Sequence, residues 1–93
     1  MHGEYKVPGG KLVVVDFEVV DGHLRNVLLS GDFFLDPDDA LAWMTDALEA
    51  SPADLSADEQ TERVRLAAGE AELIGVTPEG IVVAVQRALG RAV

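Results

Sequence analysis

The sequence predicts a small α+β domain, in which an antiparallel sheet of about three strands carries about three helices on one face. Three observations predict this class. The first third of the chain is rich in β-branched residues between glycine-containing turns. The rest has helix-capping sequences followed by apolar residues at helical spacing, and 93 residues have room for one hydrophobic core. We therefore expect residues 1–93 to form a single domain.

The clearest strand is the β-branched segment from Leu12 to Val20, and the Asp21-Gly22 dipeptide after it favours a type I′ hairpin turn. A two-residue turn pairs Glu18 with Arg25, and an opposite-charge pair of this kind contributes about 0.2–1 kcal/mol. The same register predicts the pairs Val20–His23, Val19–Leu24, Val15–Leu28 and Leu12–Gly31.

Because neighbouring side chains of a strand point to opposite faces, the register also predicts which residues reach the core. The expected core face consists of Val13, Val15, Phe17, Val19, Leu24 and Leu28. The expected outer face is charged near the turn and apolar at its far end, where it carries Leu12, Val14, Val27 and Leu29.

A further strand is predicted upstream, near Gly3–Val7, because Gly9-Gly10 can form a tight turn that leads into Leu12–Val15. Three antiparallel strands are therefore expected before the first helix.

The first helix is predicted to begin at Asp36-Pro37-Asp38-Asp39, where a capping residue, a proline and acidic residues occur together. It is expected to end before Ser51-Pro52. Its apolar stripe consists of Leu41, Met44 and Leu48, widened by Ala40, Trp43 and Ala47.

Two later helices have equally local signals. The sequence from Ser56 to Glu59 is a capping box, and it predicts a helix that runs to about Ala68, just before Gly69. Thr77-Pro78-Glu79 combines a cap and a proline again, before a helical stripe of Ile81, Val85 and Leu89.

Composition and charge exclude several classes of function. The formal net charge is −10, and the segment 36–60 has many acidic residues but no lysine or arginine. A phosphate backbone would be repelled by this charge, so we expect no nucleic-acid partner. The absence of cysteine argues against disulfides, thiolate chemistry and a structural zinc site. With no long apolar stretch and no secretory signal, we expect no membrane association and a cytoplasmic location.

Candidate catalytic residues are few. Asp36, Asp38 and Asp39 could form a metal or acid–base cluster, but acidic residues here are the ordinary signature of a helix start. His2 lies in a terminus that is expected to fray, and His23 follows the hairpin turn with no serine, cysteine or carboxylate at a spacing typical of a catalytic site, so both are expected to be exposed polar residues. No phosphate-binding glycine motif is complete. A self-contained enzyme is therefore not predicted.

Two segments are less easily explained as structure alone. The first, residues 4–11, holds both lysines of the chain, Lys6 and Lys11, around Gly9 and Gly10. It could be a plain hairpin turn with solubilising flanks, or a docking loop.

The second, residues 29–35, ends a strand with Gly31-Asp32 and continues directly into Phe33 and Phe34. Neighbouring residues of an extended chain point in opposite directions, so the two rings cannot both face the core. One ring is expected either to cover the apolar end of the outer sheet face or to contact a partner.

Together these segments resemble the accessory, or C-terminal, domain of lipoate–protein ligases. The resemblance lies in Lys6-x-x-Gly9-Gly10-Lys11-Leu12, a strand and turn, then Ser30-Gly31-Asp32-Phe33-Phe34 and an acidic helix start. It covers nearly the whole chain and is strongest over residues 4–40. It implies a small α+β domain related to iron–sulfur scaffold and sulfur-acceptor proteins, whose cysteines are absent here. In some organisms this domain is a separate protein of about this length.

The resemblance implies a supporting role in lipoylation. The family's catalytic domain adenylates lipoate with ATP and transfers the lipoyl group to a lysine of an acceptor domain. The accessory domain promotes adenylation by closing over that site and supplies no nucleophile. We therefore expect a non-catalytic subunit that binds no cofactor alone, with lipoate and ATP/Mg bound at a catalytic partner subunit. The expected contact residues are Lys6, Gly9, Gly10, Lys11, Gly31, Asp32, Phe33 and Phe34.

Two other functions stay open from the sequence. The chain could be a stand-alone protein-interaction or scaffold module of the same fold, which binds through its half-apolar sheet face and has no link to lipoate. It could also be a small enzyme that uses the Asp36–Asp39 cluster. In each case the capped helices and the specified hairpin predict a chain that folds alone, as a monomer or weak dimer.

Overall fold

The computed structural model describes residues 1–91. In chain order these form strands β1 (His2–Lys6), β2 (Leu12–Val20), β3 (His23–Gly31) and β4 (Phe34–Asp36), helices α1 (Ala40–Leu48) and α2 (Ala57–Ala68), strand β5 (Glu72–Ile74) and helix α3 (Pro78–Ala88). The predicted α+β class is confirmed.

The main sheet is antiparallel, with the strand order β1-β2-β3. Helix α3 packs on β1 and β2, α1 packs on β3, and α2 packs against both of the other helices. The hydrophobic core lies between this sheet and the helices. Its completely buried side chains include Val13, Val15, Leu24, Met44, Val64, Ile81 and Val85.

The register of the β2–β3 hairpin is confirmed only near its turn. Val20–His23, Val19–Leu24 and Glu18–Arg25 pair as predicted, but the register then shifts, because Asp16 pairs with Leu28. One extra residue in β3 causes the shift: Asn26 and Val27 together lie opposite Phe17, and Asn26 has a φ of +57°. This is a β-bulge. The predicted pairs Val15–Leu28 and Leu12–Gly31 are therefore wrong, since Val15 pairs with Leu29 and Val13 pairs with Gly31.

The bulge also reverses the two faces in the second half of β3, since a shift of one residue moves every later side chain to the opposite face. Leu28, predicted to lie in the core, is 63% exposed. Val27 and Leu29, predicted on the outer face, are buried.

Glu49, just after α1, holds the bulge in place. Its Oε2 accepts the backbone N–H of Asn26 at 3.1 Å, and its Oε1 accepts the N–H of Val27 at 2.9 Å. Both oxygens of one carboxylate thus satisfy the two backbone donors that the bulge turns away from β2. Nothing in the local sequence indicated this contact.

The start of the first helix differs from the prediction. Asp36, expected as its cap, lies in β4 and pairs with Glu72 of β5, and the chain turns before α1 begins at Ala40. Strands β4 and β5 form a separate two-stranded antiparallel sheet that was not predicted. The buried stripe of α1 is Ala40, Met44 and Leu48, while Leu41 and Trp43 are 36% and 43% exposed.

The other two helices are confirmed. In α2 the Ser56 hydroxyl accepts the N–H of Glu59 at 3.1 Å, and the Glu59 carboxylate accepts the N–H of Ser56 at 3.2 Å. This is the predicted capping box. In α3 the Thr77 hydroxyl accepts the N–H of Gly80 at 2.9 Å, with Pro78 in the first turn. None of the helices within residues 1–91 combines the length and the apolar character that crossing a membrane requires.

We predict that Glu49→Ala lowers the free energy of unfolding by about 1–3 kcal/mol, because two backbone donors lose a charged acceptor. Urea denaturation followed by circular dichroism measures the change. Asp46→Ala is the matched control, since Asp46 is an exposed carboxylate of α1 and its loss should change stability by less than about 0.5 kcal/mol. Equal stabilities of the two variants would contradict the role given to Glu49.

Candidate partner-contact site

The loop that carries both lysines is a compact turn between β1 and β2. The N–H of Gly10 donates to the carbonyl of Val7 at 2.8 Å, and the N–H of Val7 donates to the carbonyl of Lys11 at 3.1 Å. Lys6 pairs with Leu12 across the strands, and its Nζ donates to the Gly10 carbonyl at 2.8 Å. The Lys6 ammonium is therefore held against the turn, and Gly9 lies at the tip of the turn with a φ of +70°.

The second predicted segment lies at the same end of the sheet. Phe33 is half-buried and packs against the core, whereas Phe34 is 70% exposed. The two rings thus point in different directions, as an extended backbone requires. Asp32, between the strand end and the rings, is exposed.

Gly75, which the sequence analysis did not single out, is the point where the two segments meet. Its carbonyl accepts the N–H of Lys11 at 2.8 Å. A Cβ placed on Gly75 would lie 2.7 Å from Cγ of Lys11 and 3.6 Å from Cβ of Phe33, so these side chains flank it. Its φ of +86° favours glycine as well. The only local sign of this role in the sequence is a glycine between an apolar pair and the cap of α3.

Gly31 is the second glycine whose backbone lies close to neighbouring groups. A Cβ there would overlap the carbonyl oxygen of Leu12 and would lie 2.6 Å from Cε2 of Phe33. The Phe33 ring therefore covers the bare backbone of Gly31, and the strand end, the aromatic pair and the start of β2 form one packed corner. We call this the Gly75 corner; it comprises Lys6, Gly10, Lys11, Gly31, Phe33 and Gly75.

An open groove of about 300 Å³ lies beside the corner, between the end of β3, the aromatic pair and the start of α1. Its apolar lining includes Leu29, Phe33, Phe34 and Leu41, and its charged lining residue is Asp38. The two lysines do not line it. The Gly75 corner thus carries two lysines, and the groove beside it carries an aspartate.

The structure offers little support for chemistry at the other candidates. Within residues 1–91, no group of three or more histidine, aspartate or glutamate side chains is placed to hold a metal ion. Asp36, Asp38 and Asp39 are exposed, and His23 Nδ1 lies 2.9 Å from the Asp21 carbonyl in the hairpin turn.

His2 lies between two carboxylates on the open face of the sheet. Its Nε2 is 2.6 Å from Oε2 of Glu4, and its Nδ1 is 2.8 Å from Oδ1 of Asp16. Hydrogen bonds to Glu4 and then to Asp16 raise the pKa of His2 above its ordinary value of 6.5. The His2 ring links β1 to β2 and lies away from the Gly75 corner.

Comparisons with known proteins show similarity to one solved structure. Neither the protein-family models nor the curated proteins contain a match. Among solved structures, the chain is similar to one from an archaeal lipoylation system, described as a bipartite lipoate protein ligase and its E2 lipoyl domain from Thermoplasma acidophilum. The identity is 22%, the TM-score is 0.73, and the alignment covers 91% of this chain and 92% of that chain. The two chains share a fold.

We predict that Gly31→Ala destabilises the protein by about 1–3 kcal/mol, because the added methyl group has to displace backbone at Leu12 or the Phe33 ring. Ser30→Ala, at the exposed neighbouring position, should change stability by less than about 0.5 kcal/mol. Thermal unfolding of both variants measures the difference. A Gly31→Ala variant as stable as Ser30→Ala would contradict the close packing of the corner.

Proposed function

We propose that this chain is the non-catalytic accessory subunit of a two-chain lipoate–protein ligase and supports the ATP-dependent adenylation of lipoate by a separate catalytic subunit. The observation that carries the proposal is the shared fold. It extends over nine-tenths of this chain and of a chain from a lipoylation system that contains a bipartite ligase. The sequence motifs that resemble the accessory domain lie in the Gly75 corner and its flanks, so two lines of argument point to the same function.

The Gly75 corner suits a subunit that closes over a partner's site. The Lys6 ammonium is held by its hydrogen bond to Gly10, and the backbone and stem of Lys11 lie against Gly75 beside Phe33. Cations that are already held in place lose less conformational entropy when they meet an anionic group. Phe34, largely exposed beside them, is the kind of aromatic side chain that anchors protein interfaces.

In this function the chain supplies no nucleophile and holds no cofactor of its own. Lipoate, ATP and Mg²⁺ act at the catalytic subunit, and the contribution of this chain is contact and closure. The proposed contact residues are Lys6, Gly9, Gly10, Lys11, Gly31, Asp32, Phe33 and Phe34.

A lipoyl acceptor domain is the second candidate, since the similar structure comes from a system that includes an E2 lipoyl domain. An acceptor has to present a lysine to the ligase. The lysines of this chain are Lys6 and Lys11, and Gly9 rather than a lysine lies at the tip of the turn. The Lys6 ammonium is bonded to Gly10, and the Lys11 stem packs over Gly75. These contacts favour the accessory function.

A stand-alone interaction module is the remaining alternative. Its support is the open sheet face, where Leu12 and Leu28 are exposed. This function requires no ligase, so the reconstituted reaction separates it from the proposal.

We predict that the double substitution Lys6→Ala/Lys11→Ala lowers lipoate adenylation about ten-fold, or about 1.4 kcal/mol, in a mixture with the catalytic chain of a two-chain ligase. The physical reason is the loss of two positioned cations beside an anionic acyl-adenylate site. The measurement is pyrophosphate release with the accessory protein kept below saturation. Arg63→Ala removes an exposed cation of α2, far from the corner in the chain, and should leave the rate unchanged.

Two further controls make the outcome decisive. The purified chain alone should release no pyrophosphate. Circular dichroism should show that the double variant keeps the fold, because both lysines are exposed.

Equal adenylation rates with the wild type and the double variant would overturn the placement of the contact. If the wild type does not stimulate adenylation at all, the proposed function is overturned. A lipoyl group on Lys6 or Lys11, detected by mass spectrometry, would establish the acceptor alternative instead.

A further inference from the structure

We propose that the groove beside the end of β3 binds an extended segment of a partner protein, which adds to the sheet as a new edge strand and carries alternating apolar and basic side chains. The inference goes beyond the proposed function and does not require it. If the chain is a ligase subunit, the segment belongs to the catalytic partner.

The first step is the direction of the backbone groups of β3. Phe17 exchanges both of its backbone hydrogen bonds with Met1 on the β1 side of the sheet. In an antiparallel ladder these directions alternate, so the odd-numbered residues of β2 bond to β1 and the even-numbered residues bond to β3. Asp16 and Val14 therefore bond to their partners in β3, which are Leu28 and Ser30.

The second step follows from the first. Leu29 and Gly31 alternate with Leu28 and Ser30, and their N–H and C=O groups point away from β2, toward the outer edge. Both residues line the groove, where Gly31 is exposed and Leu29 is 4% exposed. Within residues 1–91, no backbone group outside the sheet bonds to either of them. An extended segment that enters the groove meets these free donors and acceptors at the spacing of a strand.

In the first half of β3, by contrast, the backbone groups on the outer edge already have partners. There the N–H of Leu24 donates to Ser51, the carbonyl of Leu24 accepts from Ala50, and Glu49 accepts the donors of the bulge. The loop after α1 thus covers the edge up to Val27. Proteins normally protect such edges, because unpaired strands associate with other chains. The edge beyond Val27 opens into an apolar groove, which is the arrangement expected of a docking site.

The third step is the chemistry of the occupant. The side chains of Phe34 and Leu41 are exposed along the groove, so they favour apolar groups in the bound segment. Asp38 lines the groove, Asp32 and Asp36 flank it in the chain, and no lysine or arginine occurs between Arg25 and Arg63. Charge complementarity therefore selects lysine and arginine in the bound segment. Successive side chains of a strand point to opposite faces, so an alternating sequence places its apolar groups on one face and its basic groups on the other.

The test uses the intact chain, labelled with ¹⁵N, and the synthetic peptide acetyl-Lys-Val-Arg-Val-Lys-Val-amide. We expect saturable binding with a dissociation constant of about 1 mM or below. The amide protons of Leu29 and Gly31 should gain protection from hydrogen exchange. The amides of Leu28 and Ser30, already bonded within the sheet, are the internal control.

Two pairs of variants test the chemistry of the groove. Asp38→Lys should weaken binding about five-fold, while Asp54→Lys, which changes another exposed carboxylate at the hairpin-turn end of the molecule, should not. Phe34→Ala should weaken it about ten-fold. Leu66→Ala is its control, since Leu66 is exposed on α2 and outside the groove lining. Both test positions are exposed, so the fold should be kept.

Several results would overturn the proposal. One is the absence of binding at millimolar peptide, and another is equal binding of a peptide with glutamate in place of lysine and arginine. Shift changes confined to Leu12 and Leu28 would move the site to the open sheet face. Concentration-dependent protection of Leu29 and Gly31 without peptide would make a second copy of this chain the occupant. None of these outcomes depends on adenylation, so failure here is distinguishable from failure of the proposed function.

Discussion

The two hydrogen bonds from the β3 bulge to the Glu49 carboxylate are the interaction on which the rest of this structure depends. They join the end of α1 to the middle of the edge strand β3 and stabilise one extra residue there. That residue places Leu29 in the core and Leu28 in solvent, and it directs the backbone of Leu29 and Gly31 to the open edge. With the uninterrupted register of a plain hairpin, the groove beside the aromatic pair would have a different lining.

Features with a local cause could be predicted from the sequence, and features that join distant residues could not. The hairpin turn, the capping box of α2 and the Thr77 cap of α3 depend on residues within four positions of each other, and the structure contains them. The bulge depends on Glu49, more than twenty positions away, so no pattern within β3 announces it. Strands β4 and β5 have three residues each and lie far apart in the chain. Asp36 has the sequence signature of a helix cap but pairs with Glu72, because this distant pairing outweighs the local preference.

The candidate site follows the same division. Both predicted segments do lie at one end of the sheet, because β1–β2 and β2–β3 pairing brings them there. Gly75, which comes between them, could not be foreseen, since its role is a close approach to Lys11 and Phe33 that only the folded chain creates. The acidic side chain in the groove beside the corner was not predicted either. Asp38 follows the aromatic pair closely in sequence, and the turn before α1 brings it into the lining of the groove. A corner with lysines on one side and an acidic apolar groove on the other suits two different contacts with a partner.

The central claim is that this chain works with a catalytic ligase chain. The most direct test is capture of the tagged protein from an extract of its own cells, followed by identification of the bound chains and assay of the eluate for lipoyl-adenylate. The account predicts a second chain in about equal amount and an eluate that forms lipoyl-adenylate from lipoate and ATP. An eluate without adenylating activity, or captured protein that is itself lipoylated on Lys6 or Lys11, would contradict it.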